Sequence, residues 1–147
     1  MTVTSTRDGE NHRTGQCLCG AVRFRTTGPL RGIVYCHCSQ CRRQSGHYHA
    51  ATNVADDRLE IEGEANIRWF RSSADARRGF CSICGSNLFW QLDGRPTTSI
   101  GAGAFNRPSG LTGERHIFVA DKGDYYEIGD DLPQFAQSTP KAPVAGD

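Results

Sequence analysis

Seven cysteines in a chain of 147 residues stand in three tight groups, and nothing else in the sequence limits the fold as strongly. They are Cys17 and Cys19 in GQCLCG, Cys36, Cys38 and Cys41 in YCHCSQC, and Cys81 and Cys84 in GFCSICG. Inert core thiols have no reason to cluster in this way. A disulfide framework fits poorly: the count is odd, and the opening stretch MTVTSTRDGENHR has no apolar run of secretory type. A Cys-x-Cys pair on one strand also has its Cα atoms about 6.5–7 Å apart, at or beyond the usual disulfide limit. Metal ligation accounts for the spacing.

The run Cys81-Ser82-Ile83-Cys84-Gly85 reads as a zinc knuckle: two sulfurs from one turn, with glycine at the position that needs a positive φ. A structural zinc takes four ligands, so the knuckle needs two sulfurs from elsewhere. Residues i and i+2 of a strand share a face, so Cys17 and Cys19 can supply them while Leu18 turns away. A closed site on Cys17, Cys19, Cys81 and Cys84 follows, and its metal affinity becomes folding energy. Cys36, Cys38 and Cys41 remain as a compact half-cage. Strand alternation turns His37 away from it. His47, His49 or Asp121 can complete a second closed site; otherwise the fourth position is left to water or substrate, as in catalytic zinc sites.

Around these groups run short segments of strand character. They are 21–26, 33–37, 47–54, 59–62, 67–71, 87–92, 99–102 and 115–119, with a single helical turn at 39–44. AVRFRT and LEIEG alternate with a period of two, and no long stretch carries a helical apolar stripe. The fold class is therefore mainly β with little helix. We expect one domain over residues 14–135, between a flexible N-terminus at 1–13 and a flexible tail at 136–147. The net charge of +1 gives no electrostatic reason to expect a nucleic-acid partner. No apolar run approaches the length of a membrane span, and the expected location is the cytoplasm.

The ordered motifs G-x-C-x-C-G-x-V at 15–22, C-H-C-x-x-C-R at 36–42 and F-C-x-x-C-G at 80–85 resemble the glutathione-dependent formaldehyde-activating enzymes. Centromere protein V belongs to the same family. HIFVADKGDYYEI at 116–128 and Leu132-Pro133-x-Phe135 look like the family's C-terminal signature, so the resemblance spans roughly residues 14–135. It implies a zinc-stabilised β-tent of short antiparallel sheets holding two zinc ions. The structural zinc would lie on Cys17, Cys19, Cys81 and Cys84, and the catalytic one on Cys36, Cys38 and Cys41. The implied activity is that of a carbon–sulfur lyase acting on the adduct of a thiol such as glutathione with formaldehyde.

A glutathione-type substrate needs anchors for its carboxylates, and Arg42 and Arg43 directly follow the cysteine trio. Arg77 and Arg78 read as decoration of a surface strand, and His116 as a hydrogen-bonded strand histidine. Trp69 and Trp90 read as core. The other functional class open to such a chain is a non-catalytic zinc module for protein interaction or metal handling. The ligand at the fourth position of the trio separates the two.

Overall fold

The computed structural model of the chain describes residues 12–139; of the ends expected to be flexible, 1–13 and 136–147, residues 1–11 and 140–147 lie outside the described residues. Among the described residues, ten strands form two sheets. They are β1 His12–Gln16, β2 Arg23–Thr27, β3 Ile33–Cys36, β4 His49–Ala55, β5 Leu59–Glu62, β6 Ile67–Arg71, β7 Ala76–Cys81, β8 Asn87–Leu92, β9 Thr97–Gly101 and β10 Gly113–Ile117. The smaller sheet has the order β1-β2-β5, and the larger the order β10-β3-β4-β9-β8-β7-β6. Every named pair is antiparallel except β10 with β3, which is parallel. One α-helix, α1 Ser39–Ser45, follows β3 where the sequence predicts a single turn. The mainly β class is the one the sequence indicates.

The clean strands show why their sequences read clearly. In β2, Phe24 and Thr26 are buried while Arg23, Arg25 and Thr27 face water, which is the period of a half-buried strand. Phe24 meets Phe89 and Phe105 edge to face, with ring centroids 5.9 Å and 5.1 Å away. These rings, with Val22, Val54, Leu88 and Ile100, form a core that also takes in Cys17 and Cys81. The first cysteine group is therefore part of the hydrophobic core.

Strand β1 is an addition that the sequence pattern does not announce, and β7, where Arg77 and Arg78 read as surface, is largely buried. In β7, ARRGFC, Ala76, Arg78, Gly79 and Cys81 are all buried, so there is no alternation to detect. Gly79 faces Trp69 across the β6–β7 pair, and a Cβ at Gly79 would stand 2.9 Å from the indole. Only a residue without a side chain lets that ring lie flat on the strand. The Arg77 guanidinium lies over the same indole at 3.9 Å and donates to the Gln91 Oε1. The β7–β8 register shifts between Gly79 and Phe80, a bulge that lies just before the knuckle at Cys81.

The chain after β10 folds back along the edge of the larger sheet. His116 N donates to Pro133 O at 2.9 Å, and Phe135 N to His116 O at 3.0 Å. Val119 N donates to Phe135 O, and Phe118 N to Gln137 O. This segment covers an edge that would otherwise present unpaired backbone groups.

Candidate metal centres and the adjoining cavity

Cys17 and Cys19 do not sit on a strand. They lie just past the end of β1, in a turn closed by Gly20 N to Cys17 O and by Cys17 N to Val22 O at 3.0 Å. The same-face argument thus reaches the right grouping through the wrong local geometry: the turn, and not a pleat, brings the two sulfurs together. Cys81 ends β7, and Cys84 lies in the following turn. There Gly85 takes φ 81° and donates to Cys81 O at 2.8 Å.

The four sulfurs converge as a tetrahedral thiolate site requires. Thiolates about 2.3 Å from a central ion stand about 3.8 Å apart. Cys17 and Cys19 Sγ are 3.7 Å apart, and Cys19 and Cys81 Sγ 3.8 Å apart. Backbone N–H groups already point at the sulfurs, from Val22 to Cys17 at 3.3 Å and from Ile83 and Cys84 to Cys81 at 3.4 Å. The Ser86 hydroxyl beside Cys84, aided by backbone N–H groups, pulls that thiol down to about 5. Cys19, which shares protons with its three neighbours, is instead pushed up to about 11, so the cluster gives up its protons unevenly and a cation would displace those that remain. Leu18 and Ile83 between the ligands turn outward, 84% and 64% exposed.

The second group gathers at the junction of β3 and α1. Cys36 ends the strand, Cys38 is the helix N-cap and Cys41 lies one turn in, buried. Their sulfurs lie within 4.8 Å of one another, and no His, Asp or Glu among the described residues joins them at that range. His47, His49 and Asp121 thus stay outside the cluster. Hydrogen bonds from the Cys36 and Cys41 thiols, with the Cys41 and Gln40 backbone N–H groups, push Cys38 down to about 2. The same sharing pushes Cys36 far upward. Three thiols that share their protons so unequally are a natural seat for a cation that displaces them. Both clusters can hold a metal ion.

The trio forms one wall of a cavity of about 250 Å³. Val34, Trp90, Leu92 and Ile117 give it apolar sides, and His49 and Arg78 also line it. Burial, reinforced by the Arg78 charge, holds His49 down at about 4, so its imidazole is neutral. Phe118, also in the lining, takes the left-handed conformation at φ 56°, which is unusual for a bulky residue.

Comparison with known proteins agrees with this geometry. The model of the glutathione-dependent formaldehyde-activating enzymes matches residues 12–121, a span that holds both cysteine clusters. The chain belongs to that family. A Halomonas elongata protein that carries the family's name is 33% identical over 129 residues, covering 78% of this chain and 79% of that protein. An uncharacterized lyase of Schizosaccharomyces pombe is 27% identical over 122 residues, covering 82% and 88%. A Rhodobacter sphaeroides protein of known crystal structure shares the fold at a TM-score of 0.54 and 21% identity, covering 82% of this chain and 98% of that one. No helix among the described residues is long and apolar enough to cross a membrane.

In this member of the family, Arg78 departs from the surface role expected for it. It is only 8% exposed, and its Nη2 donates to Gln40 Oε1 at 3.0 Å and to Cys41 Sγ at 3.6 Å. Arg42 and Arg43 lie on α1, and neither lines the cavity. Trp90 joins the cavity wall, while Trp69 packs against the core.

A second polar system escapes sequence reasoning altogether. His37 turns away from the trio, as alternation requires, into a buried chain of hydrogen bonds. Its Nε2 lies 2.8 Å from His116 Nδ1, and His116 Nε2 lies 3.0 Å from Asp130 Oδ2. The Tyr126 hydroxyl meets His37 Nδ1 at the other end. His116 is indeed a hydrogen-bonded strand histidine. Its partners stand far apart in the chain, so no local spacing could have announced them.

Proposed function

We infer that the protein is a zinc-dependent, carbon–sulfur lyase-like enzyme acting on the adduct of a glutathione-type thiol with a small aldehyde. The observation that carries this reading is the cysteine trio: three ligands, no fourth among the described residues, and a cavity opening beside them. The four-cysteine cluster has a complete tetrahedral set and suits a structural ion. Zinc on the trio would supply one open position that favours a thiolate, so that sulfur can be captured and released there. Three thiolates already give a formally anionic complex. This favours thiol exchange over activation of water.

Cleavage of the adduct breaks the carbon–sulfur bond and leaves its electron pair on sulfur. The hydroxyl gives up its proton as the carbon–oxygen double bond forms; formation of the adduct is the reverse. His49 lines the cavity and is neutral, which supports a role in taking and returning that proton. Arg42 and Arg43, outside the cavity, are proposed to hold glutathione carboxylates that the enclosed space is too small to admit. A non-catalytic zinc module has no use for an open ligand position beside a cavity.

The test is zinc content together with zinc X-ray absorption, with and without glutathione, and adduct turnover followed by NMR. Two zinc ions per chain are expected, one of which gains a sulfur neighbour when glutathione is added. Two ions with unchanged spectra would overturn the enzyme reading in favour of the module.

A further inference from the structure

Arg78 is a buried cation with no carboxylate beside it. Its side chain makes no carboxylate ion pair with any described residue, and its partner on the trio is the Cys41 sulfur, 3.6 Å from Nη2. Of the five N–H donors of a guanidinium, those on Nη2 face Gln40 and Cys41. Nε is enclosed without a partner, and Nη1 makes no hydrogen bond among the described residues. Arg78 nevertheless lines the cavity, alongside the trio. The trio engages Arg78 through Nη2 alone, so an anionic ligand in the cavity can take the donors of Nη1.

The size of the cavity points the same way. At ~30 Å³ for each water-sized group, 250 Å³ admits about eight such groups. The hydroxymethyl group of a formaldehyde adduct would occupy a small part of it. The remaining space is bounded by Val34, Trp90, Leu92 and Ile117, which ask for carbon, and by Arg78, which asks for an anion. Asp75 also lines the cavity, but it is solvent-exposed, where water and salt screen its charge.

We propose that Arg78 binds a carboxylate on the aldehyde-derived part of the substrate, so that the preferred adduct is that of a thiol with a carboxylate-bearing aldehyde. This rests on the reading of the cavity as a thiol-adduct site. Arg78 then has two tasks. It bonds to the Cys41 sulfur through Nη2 and receives the ligand carboxylate through Nη1.

The experiment compares mercaptoacetate with its neutral isostere mercaptoacetamide on the zinc-loaded full chain. Binding is read by calorimetry and by the fluorescence of Trp90 in the cavity wall. The carboxylate should bind about tenfold to a hundredfold more tightly, the worth of one hydrogen bond between charged groups. Arg78→Gln, checked for zinc content and fold, should bring the two within about twofold of each other, and Arg78→Lys should fall between. Equal binding of the two probes to the wild-type protein would overturn the proposal, and that comparison needs no variant. Acetate, which has no sulfur, separates this proposal from the reading beneath it. Acetate binding that Arg78→Gln abolishes, with no gain from the thiol, supports the anion site and overturns the thiol reading. Absence of binding by all three probes overturns both.

Discussion

His37 Nε2 and His116 Nδ1 face each other at 2.8 Å in a place both residues share with almost no solvent. One must donate and the other accept, and the neighbours decide which. Asp130 accepts from His116 Nε2–H, which leaves His116 Nδ1 as an acceptor. His37 Nε2–H must then donate to it, and His37 Nδ1 accepts from the Tyr126 hydroxyl. The chain runs in one direction, from Tyr126 to Asp130, with the His37 imidazole neutral. Burial holds His37 down at about 4, in keeping with that assignment.

Replacing His116 with Ala should therefore leave the His37 N–H without an acceptor in a dry site. The expected loss is about 1–3 kcal/mol in urea unfolding. His37 lies between Cys36 and Cys38, so the trio should also release its metal faster to a chelator while the four-cysteine site holds its own. Equal release from both sites would count against this coupling.

His37 and His49 both lie at about 4 in the folded chain, against an ordinary value near 6.5. Between these values the unfolded chain binds protons that the folded chain refuses, so stability falls as the pH drops. The contribution is complete above about 6.5 and gone below about 4, on the order of 3 kcal/mol for each group. Urea midpoints measured from pH 7.5 to 4 should fall less steeply for His49→Gln than for the wild-type chain. NMR should show both imidazoles still neutral at pH 5.

Cys81→Ser and Cys38→Ser should fail in different ways. A structural zinc contributes about 10–16 kcal/mol of apparent binding energy, as much as the whole stability of a typical domain. Cys81→Ser should thus yield unfolded or aggregated protein by circular dichroism. Cys38→Ser should fold with one zinc ion in place of two.

Gly79→Ala places a methyl group 2.9 Å from the Trp69 indole. Overpacking of this kind costs about 1–3 kcal/mol. Thermal unfolding should register the loss with the zinc content unchanged, since neither residue is a ligand.

The grouping of the cysteines into two clusters was legible because it is written in spacing: Cys81-x-x-Cys84 brings two sulfurs into one turn, and a tetrahedral set needs two more. The turn around Cys17 and Cys19 was not, because Cys-x-Cys suits a pleat as well as a tight turn. The burial of strand β7 on both faces was hidden, and with it the position of Arg78, whose charge reads as surface. The histidine chain joins His37 to residues 79 and 89 positions further on, so only the folded sheet reveals it.

The closed cluster also imposes a timetable. Cys19 and Cys81 are separated by 62 positions. At about 5–20 residues per second of synthesis, Cys19 leaves the ribosome about 3–12 s before its partner. During that interval the first pair is half a ligand set on an unfinished core, exposed to oxidants and to any passing soft metal. With zinc in this cluster, as proposed, cells short of zinc should lose this protein during its manufacture, while copies already folded keep their metal.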